Sequence, residues 1–199
     1  MKKSVLVNSI VLGVIGVSGV VGGSVFADDT QTQTTNATAA LTQPGTTPGG
    51  SDNLKLESAP TFDFGSQELS GTGNTFNEAA TVTGDLTVNN IGNTSGWNVT
   101  VARSEFLDGS TTLKGADLKL EQGTVSATSS DNTSTAPTTM LADLKNTSAA
   151  PVFTAAAGNG IGEWKDVFAV SNASLYAPAG NVAGNYTASL TWTLTNAPA

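Results

Sequence analysis

Tyr186 to Pro198 reads YTASLTWTLTNAP, and its period of two constrains the chain more than any other stretch. Tyr186, Ala188, Leu190, Trp192 and Leu194 occupy alternate positions; Thr187, Ser189, Thr191, Thr193 and Thr195 fill the places between. Successive side chains of a strand point to opposite faces, so the pattern predicts one apolar face and one hydroxyl face. β-branched and aromatic residues suit such a pleated surface. Pro198, with no N–H to donate, is expected to end the ladder.

Composition extends that expectation to the whole chain. Thr, Ser, Asn, Ala and Gly dominate, and charged residues make up only 12% of 199, so helix-favouring Glu, Lys and Arg are scarce. There is no Cys and no His. That removes disulfides, Cys and His metal sites, and catalysis by a thiolate or an imidazole.

The first 27 residues have the parts of a secretory leader. Lys2 and Lys3 form a positive end, Val5 to Val21 an apolar run, and Val25-Phe26-Ala27 a cleavage site followed by Asp28-Asp29. Residues 1–27 are therefore expected to be removed on export, with no membrane insertion afterwards. The remaining chain holds six bases against sixteen acids, a net charge of −10. Such a surface repels phosphate backbones, so no nucleic-acid partner is expected. Residues 28–53, rich in Thr, Gln, Pro and Gly, bury too little to offset the entropy of ordering and read as a flexible spacer.

From residue 54 to 199 short strand-like runs alternate with turn residues. Thr61-Phe62-Asp63-Phe64-Gly65 opens the domain, and Trp97-Asn98-Val99-Thr100-Val101 alternates as cleanly as the terminal stretch. Val125 to Thr138 reads as a Ser/Thr-rich loop, Met140 to Lys145 as one helical turn, and Gly158-Asn159-Gly160-Ile161-Gly162 as a bend before Trp164. Seven to ten short, mostly antiparallel strands with long Ser/Thr/Gly-rich loops predict an all-β chain, a β-sandwich.

The chain resembles the WxL-domain cell-surface proteins of low-GC Gram-positive bacteria, whose chains end in Y-x-x-x-L-T-W-x-L-x-x-x-P. Tyr186, Leu190, Thr191, Trp192, Leu194 and Pro198 complete that pattern. The stretch from Gly96 and Trp97 to Val101 is similar to the family's upstream Trp motif, with Val99 where a strict W-x-L has Leu. The resemblance implies a secreted protein at the cell surface, held non-covalently on the cell wall with peptidoglycan as ligand. It also implies partners: other WxL proteins and a membrane-anchored WxL-interacting protein. Only Ala199 follows Pro198, so nothing resembling a covalent wall-sorting signal is present and retention by binding is expected.

Alternation assigns the motif residues Trp97, Val99, Tyr186, Leu190, Trp192, Leu194 and Pro198 to packing. The candidate ligand-facing residues are Trp164, within Gly162-Glu163-Trp164-Lys165-Asp166, and the row Thr187, Ser189, Thr191, Thr193 and Thr195. Trp164 stays open between core and contact, because Val167 and Phe168 follow at once. The hydroxyl row equally reads as a solvated sheet face.

An enzyme would have to use paired carboxylates, as glycoside hydrolases do, and Asp63, Glu68, Glu105 and Asp108 are the best set on offer. None sits in a readable motif, and no Ser-x-x-Lys occurs. No catalysis, cofactor or metal is expected. The alternative is a protein-interaction subunit that docks onto a larger membrane-anchored surface partner or a host matrix protein.

Overall fold

The computed structural model describes residues 37–41 and 53–196. The leader, nearly all of the spacer, and Pro198 lie outside the described residues. The chain divides into two units, 1–40 and 41–199. Residues 37–40 of the first are exposed and without regular structure, and every described strand belongs to the second.

In chain order the strands are β1 (Leu54–Ser58), β2 (Thr61–Asp63), β3 (Asn74–Phe76), β4 (Thr81–Thr83), β5 (Leu86–Asn90), β6 (Trp97–Arg103), β7 (Leu107–Asp108) and β8 (Thr111–Thr112). They continue as β9 (Asp117–Leu120), β10 (Thr124–Ala127), β11 (Thr138–Thr139), β12 (Ala142–Leu144), β13 (Ala150–Ala155), β14 (Gly162–Val167), β15 (Ala173–Ala177) and β16 (Leu190–Thr195). The only helical element among the described residues is a 3-10 turn at Val170–Asn172. The strands outnumber the seven to ten expected because several are pairings of two or three residues.

Two four-stranded antiparallel sheets, ordered β1-β5-β14-β10 and β11-β13-β6-β16, form the sandwich. β1 runs beside β16 and β10 beside β11, so the sheets approach each other along both edges. A third sheet, β12-β9-β15-β3, packs through β12 against β13 and β6, and β2–β4 and β7–β8 form two small pairs.

The pattern on β6 fixes the core. Trp97, Val99, Val101 and Arg103 face inward, and Asn98, Thr100 and Ala102 lie between them half-exposed. Trp97 is 0% exposed and meets Phe153 of β13 edge to face, ring centroids 5.0 Å apart. Its Nε1 donates to the Gly160 carbonyl at 3.2 Å, and the buried Asn90 amide donates to the same oxygen at 3.0 Å. Gly160 is at φ +63°, and a Cβ there would stand 2.6 Å from the Ala155 Cβ, so only glycine brings this carbonyl so close.

The terminal motif is divided. β16 spans Leu190 to Thr195, pairing Trp192 with Val101 and Leu194 with Val99. Tyr186 to Ser189 were expected in the same strand but lie outside it. Here Ser104 N–H donates to the Ser189 carbonyl, Ser104 Oγ accepts from Ser189 N–H, and Thr187 exchanges both backbone bonds with Leu107. Three residue steps from 104 to 107 oppose two from 189 to 187, so an extra residue bulges the ladder. Alternating exposure nevertheless persists from Tyr186 through Thr195.

Three further expectations are corrected. Met140 to Lys145 is no helical turn: Ala142 and Leu144 point inward opposite Leu120 and Leu118, with Asp143 outward between them. A window that short does not separate a period of two from a period of 3.6. The loop expected from Val125 begins as β10, held by β14 through Val125–Asp166 and Ala127–Trp164 pairs. Trp164 is buried, packed in the core with its Nε1 donating to the Ile161 carbonyl at 2.9 Å, because β14 is paired on both sides and turns this face inward.

Asp166 shares that inward face and is 1% exposed, with neither carboxyl oxygen hydrogen-bonded among the described residues. Gly123 lies against it so closely that a Cβ there would collide with Oδ1. Burial pushes its carboxyl from the usual 3.8 up to about 7.

Trp97→Ala should cost about 3–5 kcal/mol of stability, because it empties the centre of the core. Trp192→Ala, at the sheet edge and half-buried, should cost less, about 2 kcal/mol. The Thr191→Ala, Thr193→Ala double variant should stay within about 1 kcal/mol of the parent. Denaturant midpoints rank the three, and equal losses for the two Trp variants would contradict the burial assignment. For Asp166, the folded chain keeps a proton that the unfolded chain releases near pH 3.8, so stability falls as pH rises from about 4 to 7 and then levels. Asp166→Asn should flatten that slope and leave the variant the more stable form at pH 8; a slope unchanged by the substitution would place the titration elsewhere.

Candidate functional site

A cleft of about 720 Å³ opens between two loops, residues 64–73 and 178–189. The first loop runs from β2 to β3 and is closed by side-chain amides. Asn74 Oδ1 accepts from Ser70 N–H at 3.0 Å, its Nδ2 donates to the Glu68 carbonyl, and Gln67 Nε2 donates to the Thr75 carbonyl at 3.2 Å. At the loop's start, Asp63 Oδ1 accepts from Gly65 N–H at 2.8 Å, an Asx turn with Gly65 at φ +66°.

The second loop leaves β15 and returns to β16. Asn181 accepts from Lys114 N–H at 2.8 Å and donates to the Lys114 and Pro178 carbonyls. Tyr186 OH donates to the Val182 carbonyl at 2.9 Å, and Asn185 N–H donates to Asp108 Oδ2 at 3.1 Å.

The floor is apolar. Phe106, Leu113, Leu118 and Leu175 are buried beneath it, and Phe62, Phe64, Phe76 and Tyr186 are partly buried along it. Phe64 and Phe76 meet edge to face at 6.0 Å. At the lips Leu69 and Val182, one on each loop, are 59% and 58% exposed. Among the described residues only two charged side chains line the cleft, Asp63 and Glu68, and both are exposed.

Beneath the cleft lies a buried cation. Arg103, 4% exposed, donates from Nε to the Leu144 carbonyl at 2.6 Å, from Nη1 to Ser104, and from Nη2 to Ala116 and Lys145. Its guanidinium carbon stands 5.4 Å from the centre of the Phe106 ring.

The residues proposed from sequence distribute unevenly around this site. Tyr186, Thr187 and Leu190 line the cleft. Ser189, Thr191, Thr193 and Thr195 are exposed and do not line it. Trp97 and Val99 are in the core, Trp192 and Leu194 pack against it half-buried, and Trp164 is interior rather than exposed. Of the four carboxylates, Asp63 and Glu68 come to the cleft; Asp108 stands behind its wall through Asn185, and Glu105 lies 3.9 Å from Arg103.

Phe76, Phe106, Leu69 and Val182 carried no functional assignment in the sequence. The available signal was large apolar residues isolated in loops otherwise rich in Gly, Ser and Asn, at Leu69 and Val182, where water is the default neighbour.

Other chemistry is sparse. On the third sheet Lys145 pairs with Asp143 at 3.0 Å. Asp117 is raised by burial and then by the adjacent Asp143; burial also pushes Asp143 up, but hydrogen bonds from Lys145 and Asp117 leave it lowered. Among the described residues no group of three His, Cys, Asp or Glu could hold a metal ion, and no helix is long and apolar enough to cross a membrane.

No curated protein and no solved structure matches the chain. A family profile does: that of the WxL domain, described as surface cell wall-binding, matches residues 29–198. The match spans both Trp motifs, every described strand and both walls of the cleft. The chain belongs to the WxL family of surface cell wall-binding domains.

Proposed function

We propose that this protein is exported, attaches non-covalently to the cell wall by binding peptidoglycan, and performs no catalysis there. The observation that carries the reading is the cleft: a preformed, apolar-floored groove on the domain of a cell wall-binding family. The leader expected over residues 1–27 supports export. Support for a non-catalytic role comes from the lack of Cys and His and from the setting of Asp63 and Glu68, which are exposed on the cleft margin. A glycosidase acid ordinarily sits in a desolvated pocket that raises its pKa.

A second reading is a docking subunit for a membrane-anchored partner or host matrix protein, favoured by the exposed Leu69 and Val182 on the lips. Sedimentation of the exported chain with sacculi stripped of protein and teichoic acid separates the two. Saturable co-pelleting, reversed by denaturant and without release of reducing ends or muropeptides, is the expected result. No pelleting of a folded chain would favour the docking subunit, and release of wall fragments would make it a hydrolase.

A further inference from the structure

We propose that the cleft recognises the peptide part of the wall, through a free primary amine on that peptide, rather than the sugar strand. The proposal rests on the wall-binding reading above and deepens it.

Charge is the first argument. Asp63 and Glu68 line the cleft, and among the described residues no Lys or Arg does. Gly65 N–H occupies Asp63 Oδ1, while Oδ2 and the Glu68 carboxylate have no partner among the described residues. Two unpaired carboxylates beside an apolar trough complement an ammonium group on an aliphatic stem.

The shape of the floor is the second argument. A sugar ring is bound by laying its C–H face on a broad, exposed aromatic plane flanked by hydrogen-bonding groups. Here Phe64 and Phe76 are turned edge to face and sunk between the loops, and none of the three Trp residues lines the cleft. What remains is a trough with Leu69 and Val182 on opposite lips, suited to a chain of small aliphatic side chains. The volume, about 720 Å³, accommodates a segment of a few residues. A wall stem peptide combines alanine methyl groups with a diamino acid whose side-chain amine is free until it is cross-linked.

The test titrates the exported chain, by calorimetry, with a synthetic wall tetrapeptide of alanine, isoglutamine, lysine and D-alanine. Its side-chain N-acetylated form and a peptide-free wall oligosaccharide serve as comparators. The free-amine tetrapeptide should bind, with affinity falling as salt is raised, and acetylation should weaken it roughly tenfold. The Asp63→Asn, Glu68→Gln variant should lose about the same factor and keep the parent's circular dichroism and melting. The amide oxygen introduced by Asp63→Asn still accepts the Gly65 N–H, so the turn survives the substitution. Equal affinity for the free and acetylated peptides would overturn the proposal, as would competition by the bare oligosaccharide or binding of a basic protein segment alone. If sacculi still pellet the chain in those cases, wall binding stands and only the ligand assignment falls. A folded chain that neither pellets with sacculi nor binds the tetrapeptide removes both.

Discussion

The arrangement of the molecule depends on a buried cation whose hydrogen bonds are met by backbone carbonyls rather than by a buried anion. Arg103 ends the inward row of β6, and its guanidinium is satisfied by the carbonyls of Leu144, Ser104, Ala116 and Lys145. Glu105, at 3.9 Å, is largely in water. Burying a charge is costly unless its hydrogen-bonding capacity is used, and here backbone carbonyls supply that capacity. β12 and β9 pair with each other but neither pairs with β6, so this one side chain ties the end of β6 to the end of β12 and the turn before β9 in the third sheet. Phe106 lies over the same guanidinium and forms part of the cleft floor. The sandwich and the cleft therefore meet at one residue.

The motif that marks the family serves two purposes within ten residues. Trp192 and Leu194 complete β16 against Val101 and Val99, while Tyr186, Thr187 and Leu190 face the cleft. The bulge opposite Ser104 separates the two halves, with a side-chain oxygen taking the place of a ladder carbonyl. Because alternation persists across the bulge, the apolar side of the motif passes from the sandwich core to the cleft without changing face.

Where strands alternate over six or more residues, the sequence was a good guide to the fold. Trp97 to Val101 and Leu190 to Thr195 were legible by parity alone, as was the class of fold. Arg103 was legible in principle, since it holds the same parity as Trp97, Val99 and Val101, but a charge reads as the end of an apolar row. Short pairings such as β11 and β12 were not legible, because two or three residues carry no period and their partners lie far along the chain. The cleft was the least visible feature. Phe62 and Phe64 showed as a strand opening, yet their joining with Phe76, Phe106 and Tyr186 depends on non-local strand order. Trp164 misled for a related reason: flanking charges suggested an exposed bend, but Lys165 faces outward beside Asp85 while Trp164 and Asp166 face in.

The cleft walls are held mainly by uncharged groups, the amides of Asn74, Gln67 and Asn181 and the hydroxyl of Tyr186, with two carboxylates beside them, Asp63 on Gly65 N–H and Asp108 on Asn185 N–H. Amides do not titrate and their hydrogen bonds are little screened by salt, so those contacts are indifferent to acidity and ionic strength. Most of the groove's form thus rests on neutral hydrogen bonds, while the charge it presents among the described residues is that of Asp63 and Glu68 on its margin.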